Sequence, residues 1–254
     1  MTVAWITGGG TGIGRALAER LYQQGARVLI SGRRKEIIEN AASEIGASGG
    51  PGEIMAVAGD ACDASHVMES VSRVKKRWGE ITLLINNAGA NPNKAFSETS
   101  FEEYQKSFEI NCLTAVRATQ ATLPAMLKTG QGAIVNVSSI YGKWASGRSI
   151  SYSVGKYAMA GFTDALRQVL IGTQVHVLGV YPGFIKTSMT LPFVQPGSLR
   201  SYLGKTPDHM ALAILKALRC KKTELYYPWY IPWVLRLHRW MPVWSDVLAE
   251  RVKR

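Results

Sequence analysis

The sequence predicts an α/β fold: one doubly wound parallel sheet in a single domain, with an aromatic and basic extension at the C-terminal end. Three observations lead there. Short β-branched apolar runs alternate with stretches of helical periodicity, which is the pattern of repeated βαβ crossovers. A glycine-rich turn joins the first apolar run to the first helical one. The 254 residues, 46% apolar and 19% charged, can fill one large core, and no low-complexity tract, internal repeat or linker divides them.

The elements follow in order. Val3 to Thr7 reads as the first strand and ends in Gly8-Gly9-Gly10-Thr11-Gly12-Ile13-Gly14. From Arg15 to Gln24, Ala16, Leu17, Ala18 and Leu21 recur at helical spacing, and Gly25 stops the helix. Strands are expected at Arg27 to Ser31, Ile54 to Ala58, Ile81 to Ile85, Gly132 to Val137 and Val175 to Val180. Long helices are expected over Phe101 to Lys128 and Tyr152 to Gly172, and a shorter one over Asp208 to Leu218. The main domain is thus expected over 1–218, with a loop rich in Pro, Gly, Ser and Thr near 185–207. Residues 219–254 read as an extension, not a second domain.

The net charge of +12 and a pI of about 9.7 favour acidic partners such as phosphate-bearing cofactors or anionic lipid. No nucleic-acid recognition module accompanies the charge. Cys62, Cys112 and Cys220 are odd in number and far apart, and neither they nor the four histidines show metal-ligand spacing. No metal is expected. With no signal peptide and no apolar run long enough to span a bilayer, a reducing cytoplasm is the expected setting.

Glycines at 8, 12 and 14 permit a tight turn, close approach of backbone to a pyrophosphate, and close packing of helix on sheet. The helix N-terminus adds free amides and the positive end of its dipole. No Gly-Lys-Ser/Thr follows, which excludes a nucleoside-triphosphatase loop. At the end of the second strand, where a carboxylate would receive a ribose 2′-hydroxyl, the chain has Gly32-Arg33-Arg34-Lys35. Arginine instead binds a 2′-phosphate through charge-assisted hydrogen bonds, so Arg33 argues for NADP(H).

Tyr152 and Lys156 lie four apart at a helix start and share a face. An ammonium beside a phenol favours the phenolate and lowers the tyrosine pKa, which suits proton exchange with an alcohol or carbonyl. With these residues the chain closely resembles the short-chain dehydrogenase/reductase family over roughly residues 3–190. The resemblance implies a Rossmann domain. Thr7-Gly8-x-x-x-Gly12-x-Gly14, with Thr11 and Ile13 inside it, is similar to the family's cofactor turn, and Asp60 to its adenine-contacting aspartate. Asn86-Asn87-Ala88-Gly89 resembles the motif that lines the cofactor cleft. Pro182, Gly183 and Thr187 resemble the segment that grips the nicotinamide carboxamide. By the same resemblance Ser139, thirteen residues before Tyr152, orients the carbonyl and Tyr152 is the general acid. Lys156 tunes it and binds ribose hydroxyls, and Asn111 holds a water in the proton relay. One departure is Thr11, where many NADP-preferring members carry a basic residue.

Two classes of function fit this fold: an enzyme, or a nucleotide-sensing scaffold that has lost turnover. The intact tyrosine and lysine favour the enzyme. Phe184, Met189, Leu191, Phe193 and Val194 suggest an apolar pocket and an apolar or lipid-like ketone or aldehyde. A homodimer or homotetramer is expected from the family. Residues 219–254 carry eight Lys or Arg against three acids, and four of the seven tryptophans. Rings mixed with basic residues suit either the lipid headgroup boundary or packing over the pocket or a subunit contact.

Overall fold

The computed structural model describes residues 1–193, 202 and 204–252. Seven parallel strands form one sheet in the order β3-β2-β1-β4-β5-β6-β7. They are β1 (Val3–Thr7), β2 (Arg27–Gly32), β3 (Glu53–Ala58), β4 (Leu83–Asn86), β5 (Gly132–Val137), β6 (Val175–Pro182) and β7 (Glu224–Tyr227). Strand connections reverse direction between β1 and β4, so a crevice opens there at the carboxyl ends of the strands.

Side chains alternate across a strand, and the sheet separates them into two cores. Ala4 and Ile6 of β1 pack with Leu17 and Leu21 of α1 (Gly12–Gln23), Ile38 of α2 (Lys35–Ala47), and Met210 and Ile214 of α7 (Pro207–Arg219). Val3 and Trp5 pack on the other face with Val67 and Val74 of α3 (Ala64–Trp78), Met126 of α5 (Thr114–Thr129) and Leu166 of α6 (Ile150–Val169). Burial on both faces explains why these strands read as continuous apolar runs.

Several boundaries differ from the sequence expectation. β4 starts two residues later than Ile81, since pairing with β1 begins at Ala4 opposite Leu83. β6 continues to Pro182 because Tyr181 and Pro182 meet Tyr226 and Tyr227 of β7. The single long helix from Phe101 is broken by a π-turn at Glu109–Leu113, lying between α4 (Phe101–Phe108) and α5. The extra residue per turn rotates Asn111 fully into the interior.

The extension also has a different anatomy. Its first part supplies β7, the seventh strand of the sheet; α8 (Ile231–Trp240) and α9 (Pro242–Val252) follow. Because β7 is parallel to β6, Lys221 and Lys222 stand at the end of the sheet opposite α8, and the Lys222 carbonyl meets His176 Nε2 at 2.9 Å.

Candidate active site

The glycine turn follows from local sterics. Gly8 and Gly12 have φ of +66° and +55°, a region closed to most side chains. Gly8 N donates to Ser31 O at 2.8 Å, pinning the turn to β2. A Cβ on Gly14 would fall on the Gly8 carbonyl oxygen and 2.5 Å from Asn87 Nδ2. Asn87 Nδ2 donates to Thr7 O and Gly8 O, both at 3.1 Å, while the amides of Asn87 and Ala88 donate to Thr7 Oγ1. The ends of β1 and β4 are thereby joined at the crevice.

The second wall is built around buried polar groups. Asn111 Oδ1 accepts from Ala90 N at 3.1 Å, and its Nδ2 donates to Ala90 O and Ser107 O, each at 2.9 Å. Protein groups therefore engage both ends of the Asn111 amide. Lys156 is 2% exposed, and its Nζ donates to Val137 O at 2.9 Å. A Cβ on Gly89 would meet Asn111 Oδ1 at 2.9 Å and Lys156 Nζ at 3.3 Å. Ser139 caps the short turn Ile140–Gly142, its Oγ accepting from Tyr141 N at 3.1 Å.

The electrostatics require one correction. Sequence reasoning expects the Lys156 ammonium to lower the Tyr152 pKa. Burial instead pushes the Tyr152 phenol up to about 12, with its hydrogen bond to Ser139 acting the other way. Burial likewise pushes Lys156 down to about 8. The ammonium lies 5.7 Å from the Tyr152 ring centroid, and its hydrogen bond to Val137 O turns it toward backbone. Desolvation outweighs pairing for both groups.

All but two of the site residues predicted from sequence line one cleft of about 1350 Å³; Gly14 and Asn111 stand behind its wall. Arg33 and Arg34 lie on it at the end of β2, exposed and in no ion pair among the described residues. Asp60 lies on it after β3, its carboxylate accepting from Cys62 N at 3.0 Å. Thr187 closes over the turn, its Cγ2 3.1 Å from where a Gly12 Cβ would sit. Gly183 N donates to Tyr227 O at 2.7 Å. Among the described residues no cluster of His, Cys, Asp or Glu could hold a metal ion.

Phe184 and Met189 line the cleft as expected, whereas Leu191 is not among its lining residues and is 52% exposed. The Phe193 side chain and all of Val194 lie outside the described residues. Much of the apolar wall comes from residues outside the expected loop. Tyr141 packs edge-on against Tyr152 with centroids 6.3 Å apart. Trp144, Tyr230, Ile231, Val234, Leu237 and Trp244 complete the outer wall. Tyr141 had a signal, two residues past Ser139 on a strand-end turn. Tyr230 and Trp244 belong to the extension, for whose rings the sequence offered packing over the pocket as one alternative, whereas Trp144 had no signal, since it meets Asp246, its hydrogen-bond partner at 2.7 Å, across 102 residues.

The residues fit a dinucleotide. The turn is clear where a Cβ would obstruct it, a helix begins behind it, and arginines flank the crevice. A doubly wound parallel sheet with this turn at its switch point, facing a buried Tyr–Lys pair, defines a nicotinamide-dependent oxidoreductase. The chain belongs to the short-chain dehydrogenase family, whose model matches residues 2–196. It is 33% identical over 221 residues to a ketoacyl reductase, HetN, of Nostoc, covering 87% of this chain and 76% of that one. Among solved structures it superposes on a Burkholderia phymatum short-chain dehydrogenase/reductase in complex with NAD (TM-score 0.85, 23% identity, 94% and 92% of the two chains). It also superposes on a variant actinorhodin polyketide ketoreductase with NADPH (TM-score 0.81, 26% identity, 91% and 97% of the two chains).

Proposed function

We propose that this oxidoreductase uses NADP(H) and interconverts an apolar or lipid-like ketone or aldehyde with its alcohol. The observation that carries the cofactor choice is Arg33, beside Arg34, on the cleft at the end of β2 where no carboxylate stands. A carboxylate there would repel a 2′-phosphate, and a guanidinium binds one bidentately. The NADPH of the polyketide ketoreductase is in keeping with this reading.

Gly8, Thr11, Gly12, Ile13 and Gly14 would hold the diphosphate, with Asp60, Asn87, Ala88 and Gly89 along the adenine and ribose side. Pro182, Gly183 and Thr187 would hold the nicotinamide end. When bound, the nicotinamide supplies or takes the hydride. Ser139 Oγ hydrogen-bonds and orients the carbonyl oxygen. Tyr152, its pKa pushed up to about 12 by burial and so protonated at neutral pH, gives its proton to that oxygen in reduction. Lys156, still largely charged at neutral pH with its pKa near 8, stabilises the phenolate that this transfer leaves. Asn111 fixes the Ala90 backbone beside the lysine.

The apolar substrate reading rests on the wall of Tyr141, Trp144, Val234 and Leu237. A homodimer or homotetramer is in keeping with exposed Phe108, Val154 and Tyr157 on α4 and α6. No described helix is long and apolar enough to cross a membrane; a cytoplasmic enzyme held peripherally on anionic membrane is the proposed setting. NADPH and NADH oxidation across a panel of short and long ketones and aldehydes tests the proposal. Equal use of both cofactors, or turnover confined to small polar carbonyls, would overturn it.

A further inference from the structure

Helix α8 has two apolar faces, one turned to the cleft and one to solvent. Ile231, 4% exposed, lies with Val234 and Leu237 on the wall of the cleft. Trp233, Arg236 and Trp240 share another face at helical spacing, and the two tryptophans are 62% and 85% exposed. The Arg236 guanidinium lies 5.0 Å over the Trp233 ring. Trp229, just before the helix, is 78% exposed, and Val243, at the start of α9, is 76% exposed. Indole and aliphatic groups this exposed, gathered within fifteen consecutive residues, are unusual on a surface that meets only water.

The charge on this face has one sign. Helix α8 carries Arg236 and Arg239 and no acid, and neither arginine is in an ion pair among the described residues. The nearby acid Asp246 is engaged by Trp144 Nε1 at 2.7 Å. Tryptophan with unpaired arginine suits the headgroup boundary of an anionic bilayer, where rings enter the interface and guanidinium groups meet phosphate. We propose that the outer face of α8, with Trp229 and Val243, rests on an anionic bilayer, and that a carbonyl lipid passes from it into the cleft along the inner face of the same helix. The contact stands on this face alone; the route deepens the apolar-substrate reading and rests on it. Lys221 and Lys222 take no part, since they lie at the far end of the sheet.

Co-sedimentation of the full chain with phosphatidylcholine vesicles, with and without phosphatidylserine, tests the contact. The wild type should sediment with phosphatidylserine vesicles. Arg236→Gln with Arg239→Gln should weaken this on the order of thirtyfold, from the attraction of two basic residues to an anionic surface. Trp233→Ser with Trp240→Ser should weaken it by about tenfold or more, through lost apolar insertion. Lys221→Gln with Lys222→Gln should change nothing. NADPH fluorescence titration of each variant confirms that the fold is intact. A wild type that stays in solution, or an equal loss with the Lys221 and Lys222 pair, would overturn the contact. Self-association abolished by the tryptophan substitutions would assign the face to a second copy instead. For the route, the tryptophan variant should lose turnover of a vesicle-embedded long-chain carbonyl and keep that of a short soluble one; equal turnover of both overturns it. If no carbonyl is turned over, the substrate reading falls and the route with it, while sedimentation still decides the contact.

Discussion

Alanine at Gly14 separates a cofactor turn that needs glycine from one that merely contains it. The added Cβ would fall on the Gly8 carbonyl oxygen and 2.5 Å from Asn87 Nδ2. A backbone oxygen held between β1 and α1 cannot swing aside, so Asn87 must release Thr7 O and Gly8 O, both now at 3.1 Å. Overpacking of this kind costs about 1–3 kcal/mol, and two lost hydrogen bonds add about 1 kcal/mol each. Improved helix propensity returns about 1 kcal/mol. The net loss is about 2–4 kcal/mol, a fall in Tm of roughly 5–15 °C for a domain of this size. Gly46, in α2, is the control: a Cβ there would lie 3.6 Å from Ile54 Cγ2, in ordinary contact. Gly46→Ala should raise stability by about 0.5–1 kcal/mol. Circular-dichroism melting and NADPH titration read both effects. A Gly14→Ala protein that melts at or above the wild type and still binds NADPH would refute the steric argument.

Tyr152→Phe should lower turnover about 10²–10⁴-fold with little change in NADPH affinity, as expected when a general acid is removed; stopped-flow rates on a verified substrate check it. Arg33→Asp should weaken NADPH binding about 10–100-fold and leave NADH binding nearly unchanged, because a charge-assisted phosphate contact becomes a repulsion. Lys156, pushed down from 10.5 to about 8 by burial, binds fewer protons folded than unfolded within that window, so stability should rise with pH across it. Lys156→Met should flatten that rise in urea titrations. Trp144→Phe removes the 2.7 Å hydrogen bond to Asp246, and faster proteolysis within α9 is the expected result.

The legible parts of this molecule are those whose cause is local. The strand-turn-helix at Val3 to Gly14 announces itself because both the buried strand and the glycine requirement are written in consecutive residues. Ser139, Tyr152 and Lys156 fall on one strand end and one helix start, so their convergence follows from a single turn. The π-turn at Asn111 was not legible: nothing in its residue types separates Glu109–Leu113 from ordinary helix, and tertiary bonds to Ala90 hold the extra residue in place. The rise of the Tyr152 pKa was hidden for a related reason. Spacing brings an ammonium near a phenol, but the depth of burial, which decides the sign, depends on everything packed around them.

Charge in the C-terminal segment shows why a sum over sequence is a poor guide to a surface. Eight basic residues against three acids look like one cationic tail. Yet β7 runs through the segment as a strand of the sheet, and a four-residue strand spans about 13 Å. Arg219, Lys221 and Lys222 precede it and Arg236 and Arg239 follow it, so the two groups lie beyond opposite ends of that strand. That separation exceeds the Debye length of about 8 Å at physiological salt. The groups therefore act on different surroundings, and only the second shares a face with exposed tryptophans. The Arg251 side chain, Lys253 and Arg254 lie outside the described residues. Any attachment through α8 rests on two described arginines and a set of rings, and should be less sensitive to salt than a net charge of +5 suggests.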